Sequence, residues 1–567
     1  MKQNNIILST KTATPITREG AQEFLRKLKD SDFPEALVQE MSPQDVLFAI
    51  TEADDEQRVD LMVMSTKEQF DAMIDLACWH EYTPLIEKVE EFIAPLVSTG
   101  LGGAIRALDK LENEIKTLLF KKHIIVYLRE DKDEDAPYVP DTSDLITTAD
   151  GMYFIEIPFV DDQPDVVKQL VQALLFKPFE EYHAELQCVI HDLPSELEEN
   201  ALRWRRGRLG DLGFGTIEEG MTLLSPVDPL SLRSQLEKAL NSNSTPHPLP
   251  YSGNIPAVYA GNLSGVKLLD SALEILQSST NPEFIKRAEQ IPAELTAMTN
   301  LFLTGIKSPL DNLDDVAKGT RLARDTLALG LNAIVGDSAS LGAKAFVHML
   351  PGQFIQGAMG LLVPLKNRAA ALLNSNVFNN GQLLDDPHKA ALECLTSNIP
   401  GWWHILDSSK AESAQFFSPL ADDIEPFADL QTVNTASNFI SEIEKLEEIF
   451  TDKLKWGSTL SLHIQENHTL SSIIFTMLGN AFLGEDIEIV PIHKEDAASF
   501  AQAFCDQNRD ESILQGVTVI GPLLGIESKG TVIVSKEKEP ARRALLRLLS
   551  IGRDHLCQDT SDFLLIK

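Results

Sequence analysis

The segment Ser195-Glu-Leu-Glu-Glu-Asn-Ala-Leu-Arg-Trp-Arg-Arg-Gly-Arg-Leu-Gly-Asp-Leu-Gly-Phe214 holds the densest arginine cluster in the chain. A guanidinium is a planar fork of donors, so Arg203, Arg205, Arg206 and Arg208 suit bidentate recognition of a carboxylate or phosphate. Glu198, Glu199 and Asp211 stand beside them, and such carboxylates serve acid–base chemistry once arginines hold an anionic substrate. These seven residues are the ligand-binding candidates. The same forks also brace acidic helices, and with 85 Asp and Glu against 49 Lys and Arg, bracing is the favoured reading. No nucleophile, phosphate loop or metal-ligand set accompanies the cluster, so no catalytic residue is assigned and no cofactor is expected.

A helix must present these side chains. Pro194 ends the preceding stretch, and Ser195 with Glu198 matches a capping box, which predicts a helix starting at Ser195. The glutamates then fall near its N-terminus and the arginines near its C-terminus, as the helix dipole favours. Glu199 and Arg203 form an i, i+4 pair worth about 0.3–0.5 kcal/mol. Leu197, Ala201, Trp204 and Arg208 share a face, on which Trp204 is expected to be buried. Gly210, Gly213 and Gly215 allow a sharp turn afterwards.

Other constellations carry less. Asp131, Asp133 and Asp135 have calcium-loop spacing, but Ala136 and Thr142 stand where a glycine and a bidentate glutamate are needed. His183, Cys188 and His191 share a helix without the fourth ligand of a zinc site. His463 and His468 are poorly spaced for one helical face, and Cys78 and His80 read as core and edge residues. Gly336-Asp-Ser-Ala-Ser340 lacks the strand and elbow of a hydrolase serine and reads as a loop and helix cap. Gly525 to Thr531 lacks the phosphate-loop lysine, and Gly100-Leu-Gly-Gly103 follows a helix rather than a strand.

A net charge of −36 argues against nucleic-acid binding, which depends on a positive footprint. The five cysteines lack close spacing, so no disulfide framework is expected and a reducing, cytoplasmic setting is inferred. No secretory signal is read at the N-terminus. The apolar stretch from about Ala345 to Val363 contains His348, Pro351, Gln353 and Gln356, so a buried helix or hairpin is expected rather than a membrane span. Residues 536–553 hold Lys536, Lys538, Arg542, Arg543, Arg547 and Arg553 against an apolar side of leucines. Docking of this helix on the chain's own acidic body is favoured over peripheral membrane contact.

Residues 1–18 read as a flexible tail and 19–121 as short amphipathic helices stacked into a superhelix. Residues 122–160 read as a small β insertion, with strands at Ile124 to Leu128 and Met152 to Pro158 around an acidic loop. Residues 161–240 form a helical region with the arginine segment, 241–256 a linker, and 257–484 a C-terminal helical domain. Residues 485–567 are a mixed α/β tail region, with short strands expected at Gly516 to Gly521 and Thr531 to Val534.

Several stretches together resemble a large bacterial family of uncharacterised cytoplasmic proteins, common in sulfate- and metal-reducing lineages and catalogued as a domain of unknown function. They are Pro43-Gln-Asp-Val-Leu-Phe-Ala-Ile50, Glu68-Gln to Asp75-Leu-Ala-Cys-Trp79, Asp150-Gly-Met-Tyr-Phe-Ile-Glu156, Glu198 to Phe214, and Leu478-Gly-Asn-Ala-Phe-Leu-Gly484. The first hundred residues are also similar to the helical N-terminal superhelix of bacterial magnesium transporters, a likeness that implies fold alone.

The sequence thus predicts a mainly α protein: a helical superhelix or bundle with a small β insertion, then a second helical domain with minor β. Its expected role is a non-catalytic interaction or regulatory scaffold with a protein partner. The alternative is an enzyme or sensor that binds an anionic small molecule at Arg203 to Arg208.

Overall fold

The computed structural model describes residues 18–129, 145–158, 166–242, 245–246, 255–403, 424–451, 468–486, 489–524, 539–558 and 563–565. Helices dominate these residues, and the strands form three small antiparallel sheets. The mainly α expectation holds. The N-terminal tail, the acidic loop with Asp131, Asp133 and Asp135, most of the 241–256 linker, His463, Gly525 to Thr531 and the strand expected at Thr531 to Val534 lie outside the described residues.

The first compact unit comprises residues 1–225, 235–324 and 337–353. Its helices are short and sharply bounded. Ser42, Asp54 and Thr66 each accept a backbone hydrogen bond from the residue three further on, and Asp54 and Thr66 complete reciprocal capping boxes with Gln57 and Gln69. Helices of about ten residues are marginal alone, so burial must hold them. A continuous apolar core runs from Leu25 to Phe214. The Pro43–Glu52 helix packs on Lys67–Ala77, Leu101–Lys110 on Val166–Leu175, and Asn113–His123 on Pro194–Asp211. The β insertion is three-stranded, because Ile146–Thr147 joins the expected pair and lies beside Tyr153–Glu156. Tyr153 and Ile155 turn from this sheet into the core.

Polar groups tie distant parts of this unit together. Both Asp45 carboxylate oxygens accept from the Ala257 amide at 3.0 Å, and Ser42 Oγ donates to Asp45 at 2.8 Å. Burial pushes the Asp45 carboxyl up to about 6, against the pull of these bonds. Gln44 donates to Tyr259 Oη at 3.1 Å, the Tyr259 hydroxyl donates to Asn300, and Asn300 donates to the Leu212 carbonyl. Gly220 and Gly305 let two helices touch at backbone distance. A Cβ on Gly220 would meet Gly305 Cα at 2.6 Å.

The second unit comprises residues 226–234, 325–336 and 354–567. Its C-terminal helix, Glu539–Gln558, packs against Leu430–Thr451, Leu470–Phe482, Lys494–Cys505 and Arg509–Ile520. Leu545, Leu548 and Leu549 supply the buried stripe. Arg543 and Arg547 both pair with the buried Glu442 at 3.1 Å, and Arg553 donates to Ser512 Oγ at 2.9 Å. These basic residues are therefore engaged with the chain's own body, as the favoured reading anticipated. Both units are discontinuous.

Four expectations are corrected. Gly516 to Gly521 is not a strand but the end of the Arg509–Ile520 helix, which buries Ser512, Gly516, Val517 and Ile520 at helical spacing. Asn508 caps that helix, and Gly516 lets it approach Leu549 closely. The arginine helix starts at Pro194 and has no side-chain cap, because Leu193 at the N-cap position carries no acceptor for the amides of the first turn. Trp204 is 53% exposed, at the margin of the contact with Asn113–His123, where its Nε1 donates to Glu114 at 3.3 Å. Finally, Cys505 and Cys557 form a disulfide with their Cα atoms 5.8 Å apart, a pairing that a separation of 52 residues conceals. No single described helix is long and apolar enough to cross a membrane.

Candidate functional site: a basic cavity beside the arginine helix

The Lys67–Ala77 helix ends at Cys78, whose amide donates to the Ile74 carbonyl at 2.9 Å. The chain then makes the smallest hairpin, Trp79–His80 paired with Thr83–Pro84, closed by Leu85 N donating to Cys78 O at 2.8 Å. Its turn places Glu81 in the left-handed region at φ +51°. Nearby the Pro282–Gly305 helix ends, and Lys307 is left-handed as well, at φ +55°. The arginine helix supplies the third wall. Left-handed glycines at 213 and 215 turn the chain after it, so that Phe214 N donates back to Leu209 O at 3.0 Å. A cavity of about 310 Å³ lies between these elements, lined by Trp79, Tyr82, Lys88, Arg205, Arg206 and Lys307 among others.

Cations gather there partly because helix C-termini favour them. How each is spent decides what remains for a ligand. Arg208 is fully committed to the fold. It donates to Asp75 through Nε at 2.7 Å and Nη2 at 3.0 Å, and to Glu112 through Nη1 at 3.0 Å and Nη2 at 2.9 Å. Burial works against its charge, but the bonds to Asp75 and Glu112 outweigh burial and keep the guanidinium ionised. Arg205 donates to two carbonyls, Asp75 O at 3.1 Å and Glu81 O at 3.0 Å, and lies over the Trp79 ring at 4.8 Å. Burial presses its pKa down. Lys307 pairs with Glu81 at 2.6 Å, and that hydrogen bond lowers the Glu81 pKa and raises that of Lys307.

Arg206 differs from these. It is exposed, lies over the Tyr82 ring at 5.4 Å and makes no ion pair among the described residues. Tyr82 in turn donates to Glu218 at 2.9 Å, a bond that raises its pKa. Trp79 adds an unmet donor, since its Nε1 is buried without a hydrogen-bond partner among the described residues.

The structure thus brings only Arg205 and Arg206 of the seven candidates to the cavity. Arg208 is a brace. Arg203 lies over the Trp204 ring at 5.9 Å, away from the cavity. Glu198, Glu199 and Asp211 are exposed on the arginine helix and do not line the cavity, so the expected carboxylates are not beside the cations. Sequence reasoning missed Trp79, Tyr82, Lys88 and Lys307. The only sequence signals for them were the aromatic pair of Trp79-His-Glu-Tyr82 after a helix and the Gly305 to Pro309 punctuation around Lys307. Among the described residues no group of three or more His, Cys, Asp and Glu is placed to hold a metal ion. His183 Nδ1 lies 2.6 Å from Tyr153 Oη, and burial pushes the Cys188 thiol up to about 11.

Fold and cavity define a mainly helical protein with a basic, aromatic-lined chamber built from helix ends. The profile of a family of unknown function, DUF6178, matches residues 9–521, and the chain belongs to that family. No curated protein and no solved structure matches the chain.

Proposed function

We propose that the chain is a regulatory binding protein without chemistry of its own, whose first unit takes up a small anionic ligand in the cavity flanked by Arg205 and Arg206. One observation carries this reading. In a chain with 85 Asp and Glu, Arg206 stands on a cavity wall with no ion pair among the described residues. The Trp79 ring in the same wall carries the Arg205 guanidinium at 4.8 Å, a second cation at the cavity. Binding is favoured over catalysis because Glu198, Glu199 and Asp211, the candidates for acid–base work, do not line this cavity.

A protein partner that reads ligand occupancy, and a bacterial cytoplasmic setting, belong to the same proposal. The Cys505–Cys557 bond makes compartment a direct question, which thiol trapping in intact cells answers. The central experiment is a thermal-shift series with phosphate, sulfate and simple carboxylates on the native chain and on Arg206→Ala. A rise in melting temperature that Arg206→Ala abolishes supports the reading. No shift with any anion, or one that survives Arg206→Ala, overturns it.

A further inference from the structure

A second cavity, of about 370 Å³, adjoins the first, and Ala77, Lys88 and Asp311 belong to the walls of both. The charged part of this partition is slight. Lys88 Nζ and Asp311 Oδ2 are 3.6 Å apart, with side chains 48% and 39% exposed, a long and wet pair of the kind that contributes little.

The two chambers differ in chemistry. The first presents Arg205, Arg206 and Lys307. The second is walled chiefly by Leu47, Ile50, Phe92 and Pro95, with Cys78. Burial pushes the Cys78 thiol up to about 12, so Cys78 adds no charge to this wall at neutral pH. The polar groups at the second chamber do not invite another anion. Arg58 already donates to Ile50 O at 3.3 Å and Ala53 O at 3.4 Å, while Glu91 and Asp311 contribute negative charge. Each chamber alone sits at the small end of the roughly 300–1,000 Å³ typical of ligand pockets, and joined they fall well inside it.

We propose that the chambers are two subsites for one amphipathic monoanion. Its anionic head sits at Arg206, and its aliphatic chain passes the Lys88–Asp311 pair to lie against Leu47, Ile50 and Phe92. The proposal rests on the anion reading above and adds the ligand class to it. Lys88 remains within reach of the head, and Asp311 excludes a second carboxylate from the passage.

Calorimetry on the full chain tests this with linear carboxylates from acetate to decanoate, the α,ω-dicarboxylates of equal length, and inorganic phosphate as a chainless anion. Affinity is expected to rise by about fourfold per methylene over several carbons, the factor corresponding to about 0.8 kcal/mol, and dicarboxylates are expected to bind more weakly. Thr51 lies exposed at the rim of the second chamber, so Thr51→Trp blocks it without disturbing the core. That variant is expected to lose the chain-length gain while keeping phosphate binding. Arg206→Ala is expected to weaken every chain length by a similar factor. If short anions and phosphate bind but affinity is flat with chain length, or the gain survives Thr51→Trp, the two-chamber proposal is overturned while anion binding stands. If neither phosphate nor any carboxylate binds, the anion reading falls and the proposal with it.

Discussion

Lys307 Nζ and Glu81 Oε1 meet at 2.6 Å, and both residues hold left-handed backbones, at φ +55° and +51°. They are two of the four non-glycine residues in that region among the described residues, and both line the basic cavity. Side chains disfavour this conformation, which persists only where surrounding structure imposes it. Lys307→Gly and Lys307→Ala both remove the ion pair, but only glycine relieves the backbone. Thermal melts are therefore expected to rank Lys307→Gly above Lys307→Ala. An equal or reversed ranking would show that the turn carries no strain at this position.

The neighbouring arginines are expected to separate by role. Arg206→Ala leaves the melting temperature within about one degree of the native chain, since surface changes of this kind stay within about ±0.5 kcal/mol. Arg205→Ala lowers it clearly, because the Asp75 and Glu81 carbonyls lose their donor and Trp79 loses its stacked cation. Parallel melts without ligand decide this, and similar losses for the two variants would contradict it.

Arg208 joins three helices through Asp75 and Glu112. Removing it strands a buried carboxylate, so Arg208→Ala is expected to destabilise the first unit by about 3 kcal/mol in urea titrations. Arg208→Lys recovers only part of the loss, because an ammonium cannot reproduce the two forks. Full recovery by lysine would mean that charge alone matters there.

Asp45 gives a pH dependence whose sign follows from its environment. Burial raises its pKa from 3.8 to about 6, so the folded chain holds that proton more tightly than the unfolded one. Its contribution is most favourable below about pH 4 and is lost as pH rises toward 6, by about 3 kcal/mol in total. Asp45→Asn keeps an acceptor for the Ala257 amide without the charge. The stability difference between the variant and the native chain is expected to grow in the variant's favour from pH 4 to pH 6 and then level off. A difference constant with pH would place the Asp45 pKa near its ordinary value.

Reduction of Cys505–Cys557 is expected to destabilise the second unit. Chain entropy for a closed loop of 52 residues gives about 4 kcal/mol. Urea titrations of the native chain with and without dithiothreitol, and of Cys557→Ser, measure it. If reduction has no effect, the non-covalent packing of the C-terminal helix already suffices.

Much of the helical fold was legible because local signals agree with it. The short helices expected between residues 19 and 121 are present, and the leucine stripe of Glu539–Gln558 faces inward as its spacing requires. Gly516-Val-Thr-Val519 misled because β-branched residues favour strands, whereas burial against Leu549 made it helical. The cavity was half legible. Arg205 and Arg206 announce themselves by density, but Lys307 reaches them only through tertiary packing, and Glu81 gains its position from a turn of four residues. Trp204 looked buried because its helix face is apolar, and that face runs out at the edge of the contact.

The discontinuous units constrain how the chain can leave the ribosome. The first unit lacks its last piece until residue 353 has been made, and residues 226–234 of the second unit emerge long before the segment from 354 onward that completes it. Leu232, buried in the finished fold, belongs to the early piece and lies against Gly357 of the late one. The first unit can close before most of the second has been made, while residues 226–234 and 325–336 wait for the segment from 354 onward. Neither unit can be isolated by a single cut, so a split version of the protein would need its two fragments to find each other and fold together.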